Sequence, residues 1–321
     1  MGSNAVKIST ISYVLSIGVT AALLPACGGS QPPIQDPGVA PQGSAARADA
    51  RLDSSKAVIY VANYYLDRKG GAVWMYRETT GKKVGRITDQ VNAPYGVYVG
   101  QNGTLYVANR FTNAVTAYPR GSRSPSSTWS QDLDSPVNLI VDSKGDLFVS
   151  NSGNGTVVEY LSGSTAAHEV LQTAGIDAEG IDFDTQGDLY VVYTTGSCST
   201  CGSIEEFAAG STHGKDLGMV LDEPEGLIVD NSGNILVVES GANRLDLFPP
   251  GATKPSRELS GVTGQFLKEL AIDANENELY VSSSSQILRS AYPFPKNGGL
   301  GTWYVLAYYV QGIALSNGQT F

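Results

Sequence analysis

The stretch Ser135-Pro-Val-Asn-Leu-Ile-Val-Asp-Ser-Lys-Gly-Asp-Leu-Phe-Val-Ser-Asn-Ser-Gly-Asn-Gly-Thr-Val-Val-Glu-Tyr160 decides the fold, because the chain repeats its pattern along most of its length. Two short alternating apolar runs flank a Lys-Gly turn, and a third run ends on an aromatic residue. Alternation with a period of two residues is typical of half-buried strands, and tight turns containing glycine connect antiparallel neighbours. The stretch therefore predicts three consecutive antiparallel strands.

The copies of this stretch agree in register at several independent positions. An aromatic or apolar residue inside the second strand recurs every 42 to 46 residues, at Tyr60, Tyr106, Phe148, Tyr190, Leu236 and Tyr280. The residue that begins the first strand is usually glycine, in the set Gly96, Asn138, Gly180, Gly226, Glu269 and Gly312. The third strand ends on an aromatic residue, at Tyr76, Tyr118, Tyr160, Phe207, Phe248 and Tyr292. Such agreement indicates a true internal repeat.

A fourth, weaker strand follows the third in each copy, for example at residues 82–88, 168–171 and 303–309. Four strands in about 44 residues, repeated radially, are typical of a β-propeller. The first copy begins at Val58 with a strand of the second type, and the last strand, Gln311-Gly-Ile-Ala-Leu315, is of the first type without a partner. The sequence therefore predicts an all-β, six-bladed β-propeller with four antiparallel strands per blade, closed when the C-terminal strand joins the first blade.

The repeat resembles the NHL repeat, most clearly in Pro224-Glu-Gly-Leu-Ile-Val-Asp230 and in the aromatic end of Arg244-Leu-Asp-Leu-Phe248. The sequence departs from that pattern at Asn138 and Glu269, which replace the usual glycine. The resemblance implies a propeller fold. It leaves the function open, because similar propellers include protein-binding modules, sugar-lactone hydrolases of the gluconolactonase type, streptogramin lyases and peptide-amidating lyases.

The N-terminal region has the pattern of a targeting segment. Lys7 precedes an apolar run, residues 8–24, that has the length of a signal-peptide core and is too interrupted for a membrane span. It continues into Leu24-Pro-Ala-Cys27, which resembles the lipobox of bacterial lipoproteins, and that resemblance implies lipidation of Cys27. The alternative is an ordinary cleaved signal peptide with an incidental cysteine. We therefore expect a signal peptide at 1–27, a flexible tether rich in Pro, Gly and Ser at 28–54, and the propeller at 55–321.

This organisation predicts an exported protein, either a cell-envelope lipoprotein in the periplasm or at the surface, or a secreted one. The membrane would be reached through the N-terminal lipid alone. The chain has 21 Lys and Arg against 31 Asp and Glu, so its formal net charge is −10. A surface of that charge repels phosphate backbones, which argues against nucleic acid as a partner. We expect a monomer.

Propellers bind ligands where the loops that lead into the innermost strands meet the central channel. The residues just before the glycine positions lie there, namely Tyr95, Val137, Glu179, Glu225, Lys268 and Gln311. With the two exceptions to glycine, the candidate ligand-binding set is Tyr95, Asn138, Glu179, Glu225, Lys268 and Glu269. Glu179, Glu225, Glu269 and Asn138 could hold a divalent cation such as calcium. The alternative is a solvated channel mouth without a defined ligand.

Two further columns of polar residues favour structural roles. The carboxylates that end the first strands, at Asp142, Asp184, Asp230 and Asp273, stand before turns in different blades, so they cap turns rather than share one ion. Asn63, Asn109 and Asn151 end second strands, where turn capping is preferred to a polar ring facing a ligand.

Cys198-Ser-Thr-Cys201 lies in the loop between the second and third strands of the fourth blade. In an exported protein such a close pair predicts a disulfide, since no further zinc ligands are suitably spaced and the surroundings do not suit a redox motif. His168 and His213 follow turns that lead to outer strands, so neither is expected at the channel.

No catalytic motif appears in the sequence, and we therefore predict a non-enzymatic binding module for a protein, peptide or glycan. The alternative is a metal-dependent hydrolase or lyase, of the gluconolactonase or streptogramin-lyase kind, acting at the channel mouth. The two differ in geometry, because an enzyme of that kind needs several of the four metal-ligand candidates within reach of one ion. A structural role in the envelope is a third possibility.

Overall fold

Six sheets of four antiparallel strands each make up the structure. The computed structural model describes residues 57–65, 70–196, 198, 200–261, 266–273, 275–296, 298–305 and 309–316, with the backbone only at 303–305. Each sheet is one blade. In blades 2 to 6 the strands follow one another in sequence order from the centre outward, and the inner strand of each blade contacts the inner strands of its two neighbours. The predicted all-β, six-bladed propeller is therefore confirmed.

The first three blades occupy the N-terminal half of the ring. Blade 1 contains β1 (Val58–Asn63), β2 (Ala72–Arg77) and β3 (Lys83–Ile87). Blade 2 contains β4 (Pro94–Val99), β5 (Leu105–Asn109), β6 (Ala114–Tyr118) and β7 (Ser127–Trp129). Blade 3 contains β8 (Pro136–Val141), β9 (Leu147–Asn151), β10 (Thr156–Tyr160) and β11 (Glu169–Gln172).

The remaining strands complete the ring. Blade 4 contains β12 (Asp177–Phe183), β13 (Leu189–Thr194), β14 (Gly202–Phe207) and β15 (Gly214–Asp216). Blade 5 contains β16 (Pro224–Val229), β17 (Ile235–Glu239), β18 (Arg244–Phe248) and β19 (Arg257–Ser260). Blade 6 contains β20 (Leu267–Ile272), β21 (Glu278–Ser283), β22 (Gln286–Ala291) and β23 (Gly301–Val305). The last outer strand, predicted at 303–309, begins two residues earlier in the structure, at Gly301.

The ring closes as the sequence predicts. The last strand, β24 (Val310–Leu315), is the inner strand of blade 1 and pairs antiparallel with β1. In this pairing Ile59 lies opposite Leu315, and Val61 lies opposite Ile313. Two hydrogen bonds continue the register beyond the strand, since Val58 N–H donates to Ser316 Oγ over 2.8 Å and Ser316 N–H donates to the Val58 carbonyl over 2.9 Å.

The hydrophobic core consists of six clusters, and each lies between two neighbouring blades. Between blades 1 and 2, for example, Val73 packs with Val107, and between blades 6 and 1 Tyr280 packs with Ile313. A single antiparallel blade would expose both of its apolar faces, so its neighbours supply the burial. Stability is therefore distributed around the ring and depends on every blade having two neighbours.

The polar columns act inside the scaffold. Asp142 Oδ1 accepts the N–H groups of Lys144 and Asp146 at 2.8 and 2.9 Å, and the same turn capping recurs at Asp184, Asp230 and Asp273. Asn109 differs from its prediction, because its Oδ1 accepts Asn92 N–H, in the loop that leads into its own blade, rather than capping the next turn. Asn109 is fully buried and donates to Thr116 Oγ1, so this column does not face a ligand.

Because neighbouring strands run in opposite directions, successive loops lie alternately at the two ends of the ring. Within each blade, the loop that leads into the inner strand and the loop between the second and third strands lie at the same end. We call this the mouth end. All of the candidate ligand-binding residues lie near the beginnings of inner strands, and therefore near this end.

Candidate functional site

A backbone irregularity recurs at the same place in every inner strand. The pairing register between each inner strand and its neighbour shifts a few residues from the mouth end, in the pattern of a β-bulge. In a regular strand successive side chains point to opposite faces, whereas a bulge re-aims a side chain. Consecutive residues such as Lys268 and Glu269, or Glu179 and Gly180, consequently line one central cavity.

This cavity, which we call the central cup, contains all of the predicted ligand-binding residues. It is lined by Tyr95, Val137, Asn138, Glu179, Gly180, Glu225, Lys268, Glu269, Gln311 and Gly312. The space not filled by protein atoms is about 220 Å³, part of it open to solvent. Because that figure includes open solvent, the enclosed part of the cup is smaller and suits a small chemical group better than a whole substrate.

The floor of the cup is closed by Asn138 and Glu269, the two residues that replace glycine at the recurring glycine position of the inner strands. Asn138 Nδ2 donates to Glu269 Oε2 over 2.6 Å. Asn138 belongs to blade 3 and Glu269 to blade 6, so this hydrogen bond, which we call the floor bridge, joins opposite sides of the ring. Glu269 Oε1 also accepts Leu270 N–H over 2.9 Å, and Asn138 Oδ1 accepts Leu139 N–H over 2.7 Å. Both side chains are thereby fixed.

At the other inner-strand positions of this column, glycine is required because the backbones of neighbouring blades lie in close contact. A Cβ atom added at Gly180 would lie 2.4 Å from the Glu225 carbonyl oxygen, and one added at Gly312 would lie 2.4 Å from the Tyr95 carbonyl oxygen. Inner strands of neighbouring blades therefore meet without room for a side chain between them. The glycine column reflects packing and leaves ligand contacts to the residues around it.

An ion pair occupies one side of the cup. Lys268 Nζ donates to Glu225 Oε1, and the two side chains are 21% and 15% exposed. Burial raises the pKa of Glu225, and the ammonium group of Lys268 opposes that shift. A hydrogen bond from the Ser240 side chain opposes the shift as well. Gln311 Oε1 is buried and accepts no hydrogen bond from the residues that the structure describes.

The other side of the cup holds a pair of carboxyl groups. Burial and the neighbouring charges of Asp177 and Glu225 raise the pKa of Glu179 well above its usual range. Burial also raises the pKa of Asp177, while a hydrogen bond from Glu179 opposes that shift. The raised pKa of both groups and their mutual contact favour one shared proton between Asp177 and Glu179.

Tyr95 lines this side of the cup, and Arg110 lies beside its ring. The Arg110 guanidinium lies 5.1 Å from the centre of the Tyr95 ring, and its charge favours ionisation of the two nearby carboxyl groups. Burial raises the pKa of Tyr95 well above its usual range, and the charges of Glu225 and Glu179 add to that shift. Sequence reasoning did not identify Asp177 or Arg110, since both stand outside the aligned columns.

Aromatic residues form a continuous surface beside the cup. We call this surface, formed by Tyr64, Tyr65, Phe111 and Tyr309, the aromatic rim. Tyr64 contacts Tyr65 and Phe111 edge to face, with ring centres 4.4 and 5.3 Å apart, and Tyr65 contacts Tyr309 with centres 5.2 Å apart. Tyr64 also lies 6.2 Å from Tyr95, so the rim continues into the cup. Its members come from blade 1 and blade 2 loops at the mouth end.

The rim is exposed although it is apolar. Tyr65, Phe111 and Tyr309 are 45%, 59% and 55% exposed. Tyr309 also has a φ of 70°, a left-handed conformation that costs free energy for a bulky side chain. Both the strained backbone and the exposed ring of Tyr309 lower the stability of the folded state. The rim is therefore an exposed apolar surface next to the cup.

Apolar exposure is concentrated at the mouth end. Among the described residues, nine large apolar side chains are exposed. Six of them lie in loops at the mouth end, namely Tyr65, Phe111, Ile176, Val220, Phe266 and Tyr309. The others, Val84, Leu161 and Val170, lie on outer strands or at the opposite end. The face that surrounds the cup is thus the most apolar part of the described surface.

The donor set does not fit the suggested metal site well. The described part of the chain contains no group of three or more His, Cys, Asp or Glu side chains placed to hold a metal ion. Glu225 is already paired with Lys268, and Asn138 and Glu269 bind each other in the floor bridge. Three of the four candidate ligands are therefore already engaged with Lys268 or with each other.

The remaining predicted residues lie away from the cup. Cys198 and Cys201 are joined by a disulfide in the loop between β13 and β14. His168 and His213 are exposed and directly precede the outer strands β11 and β15. Cys27 and the boundaries at residues 27 and 54 lie outside the described residues. No helix among the described residues is long and apolar enough to cross a membrane.

Glu269 gives a testable pH dependence. Burial and the charges of Glu225 and Asp182 raise its pKa to about 8, against the Leu270 N–H group, which lowers it. An unfolded Glu titrates near pH 4.3, so between about pH 4 and 8 the folded state holds a proton that the unfolded state releases. Stability is therefore expected to fall as pH rises through this window. Melting temperatures from pH 5 to 9 should show a shallower decline for Glu269→Gln than for the unmodified protein.

The matched control for this experiment is Glu169→Gln, on the outer strand β11. It removes one carboxyl group of the same type without touching the cup. Equal slopes for Glu269→Gln and Glu169→Gln would contradict the assignment of the shifted proton to Glu269.

Comparisons with known proteins identify the fold. No protein-family model matches the sequence, and no curated protein matches it. A chain in the crystal structure of a nidogen–laminin complex is 18% identical with a TM-score of 0.64, covering 82% of this chain and 99% of that one. A protein from Lactobacillus plantarum is 11% identical with a TM-score of 0.58, covering 78% and 82%. A streptogramin B lyase is 15% identical with a TM-score of 0.52, covering 78% and 74%. At these identities the similarity concerns the fold alone.

Proposed function

We propose that the protein is a non-enzymatic binding module that docks a protein or peptide on its mouth end. The observation that carries this proposal is the aromatic rim, since three exposed aromatic side chains cluster beside the central cup. Exposed apolar patches of this kind mark interaction sites in soluble proteins. Aromatic residues are also enriched among the anchors of protein interfaces.

A protein or peptide is favoured over a glycan by the rest of the mouth end. Ile176 and Val220 are each 64% exposed, and Phe266 is 58% exposed. Aliphatic side chains stack poorly on sugar rings, whereas they pack well against apolar side chains of another protein. The mixture of aliphatic and aromatic groups around one face therefore suits a protein interface.

The scaffold also suits such a role. The six interblade cores hold the mouth-end loops on rigid sheets, so a partner would meet a surface that needs little ordering on binding. The proposal includes export and attachment through a lipid on Cys27, with residues 28–54 as a tether that gives the mouth end freedom to reach its partner. The cup is too small to enclose a typical substrate, which favours binding over catalysis.

The experiment is selection of a random peptide display library on the full-length protein, compared with the rim variant Tyr65→Ser/Phe111→Ser. We expect the unmodified protein to enrich a family of related sequences, and the variant to bind those peptides at least tenfold more weakly because it loses two anchors. The matched control is Leu161→Ser/Val170→Ser, which removes two exposed apolar groups away from the mouth end. Equal binding by the rim variant and the unmodified protein would refute the proposal.

A further inference from the structure

We infer that blades 1 and 2 dock on an anionic lipid surface through a patch of basic side chains, which leaves the mouth end free for its partner. The inference rests on the N-terminal lipid included in the proposed function, and it adds a second, electrostatic contact that orients the ring on the membrane. We call these side chains the basic patch. They are five exposed cations, namely Lys82, Lys83, Arg86, Arg120 and Arg123.

The basic patch lies on the outer edge of blade 1 and on the adjoining turn of blade 2. Lys82 and Lys83 stand where β3 begins, and Arg120 and Arg123 lie in the turn between β6 and β7. Both places are at the end of the ring opposite the mouth end, which we call the far end. The Arg123 side chain reaches across to β3, since a Cβ added at Gly85 would lie 3.1 Å from its Nη2 atom. The patch is therefore one surface that joins the two blades.

The cations of the basic patch lie close together without carboxylates between them. Lys83 Nζ lies 2.9 Å from the centre of the Trp74 ring, and the Arg86 guanidinium lies 5.4 Å from the same centre. Burial and the positive charge of Arg86 lower the pKa of Lys83. The four residues Lys82, Lys83, Arg86 and Arg123 form no ion pair with a carboxylate of the described chain. An anionic surface would supply the counter-charge.

Charge is divided unequally around the ring. Residues 77–123 contain seven Lys and Arg against two Asp and Glu, whereas residues 124–321 contain eight against twenty-five. The aspartates that cap far-end turns in blades 3 to 6 have no counterpart in blades 1 and 2, where Ser316 and Gly100 stand instead. Salt screens exposed charges over about 8–10 Å, so a membrane beside blades 1 and 2 would be attracted by the patch and little repelled by the acidic blades across the ring.

The place where the chain enters the propeller favours a membrane as the anionic partner. Val58, at the beginning of β1, pairs with Arg77 at the far end of β2. The predicted tether, residues 28–54, therefore precedes the same end of blade 1 that carries the basic patch. A lipid on Cys27 would hold this end near the headgroups, where basic side chains are attracted. A lysine-rich surface also suits headgroups better than a protein, because lysine is depleted in protein interfaces.

The test is cosedimentation of the full-length protein with lipid vesicles at low salt, with Cys27→Ser in every sample so that no acyl chain contributes. The vesicles contain phosphatidylcholine alone or equal parts of phosphatidylcholine and phosphatidylglycerol, and the neutral vesicles give the background from the apolar N-terminal run. We expect Lys82→Gln/Lys83→Gln/Arg123→Gln to weaken binding to the anionic vesicles at least tenfold, because each basic residue near such a surface contributes about fivefold. High salt should weaken binding of the parent protein in the same way.

The matched control is Lys144→Gln/Lys254→Gln/Lys296→Gln, which removes the same charge from exposed far-end turns of blades 3, 5 and 6. We expect this control to change binding to the anionic vesicles less than threefold. The charge-conserving variant Lys82→Arg/Lys83→Arg/Arg123→Lys should bind like the parent protein, which separates loss of charge from misfolding. Equal losses in the two glutamine variants would mean that net charge governs binding, and would overturn the inference. Equal binding of the parent protein to neutral and anionic vesicles would overturn it as well.

The outcomes separate this inference from the proposed function. The glutamine variant of the patch should still bind the peptides selected at the mouth end, and the rim variant Tyr65→Ser/Phe111→Ser should still bind anionic vesicles. Vesicle binding that does not depend on the patch, with peptide binding intact, overturns only the lipid inference. Loss of vesicle binding in the rim variant alone would place the mouth end on the membrane and overturn both proposals. Self-association that requires the patch, without preference for anionic vesicles, would assign the patch to the acidic blades of a second copy and overturn the lipid assignment.

Discussion

Truncation of the chain after Tyr309 is expected to prevent formation of a stable propeller. The truncation removes β24, the inner strand of blade 1, so β1 keeps its pairing with β2 but loses its pairing with β24 and becomes an edge strand beside the channel. It also removes Val310, Ile313 and Leu315, all at most 5% exposed, from the core between blades 6 and 1. Full burial of each such side chain contributes about 1.5–3 kcal/mol, so the loss approaches the roughly 5–15 kcal/mol that holds a typical domain folded.

The measurement is thermal unfolding, followed by circular dichroism, together with the oligomeric state by size-exclusion chromatography. We expect the truncated chain to unfold without a cooperative transition, or to associate through the exposed edge of β1. The point variant Ile313→Asp should reproduce most of the loss, and Ile313→Val should cost only about 0.5–1.5 kcal/mol. A truncated protein with an unchanged melting temperature would show that closure by β24 does not stabilise the ring.

Gly180→Ala is expected to destabilise the protein strongly although it adds a single methyl group. The new Cβ would lie 2.4 Å from the Glu225 carbonyl oxygen and 2.6 Å from the Leu227 nitrogen, both backbone atoms of blade 5. Backbone cannot rotate away as a flexible side chain can, so blades 4 and 5 must separate around the channel. Overpacking of this kind costs about 1–3 kcal/mol and occasionally more, and here it falls on a joint between two cores.

Chemical denaturation gives the free energy of unfolding for this variant and for its control. The matched control is Gly299→Ala, because no atom outside its chain neighbours lies within 4 Å of the added Cβ. We expect the control to stay within about 0.5 kcal/mol of the unmodified protein, as surface substitutions usually do. Equal costs at the two positions would mean that the inner strands are not in the close contact described above.

The sequence was sufficient to predict the architecture because the propeller repeats its local pattern in every blade. The column containing Tyr106 and Phe148 placed the second strands, and the mismatched ends at Val58 and Gln311 predicted how the ring closes. Each of these inferences depends on residues that are near in sequence or equivalent by symmetry. The turn-capping role of Asp142 followed in the same way, from spacing alone.

The site was only partly predictable, because it breaks the repeat. The glycine column located Glu179 and Glu225 at the cup, but side-chain periodicity carries no signal for the bulges that aim them there. Tyr65 and Phe111 come from the loops of two different blades, and nothing in either loop alone indicates that they meet. Loop conformation and contacts between blades decide that surface.

The sequence did contain one signal for the site, the two positions at which the inner glycine is replaced. Asn138 and Glu269 are the two residues that replace glycine in the inner column, and they stand three blades apart in a ring of six. Positions related in this way face each other across the axis. Geometry alone could therefore have predicted the floor bridge.

The floor bridge couples residues that no single blade can bring together. Asn138 and Glu269 are 131 residues apart, and their separation is set by the full width of the channel rather than by any local turn. Strain or partial opening at any joint of the ring changes that width, so the hydrogen bond survives only while all six joints are intact. The side-chain amide protons of Asn138 should therefore exchange slowly with solvent only while the whole ring is intact.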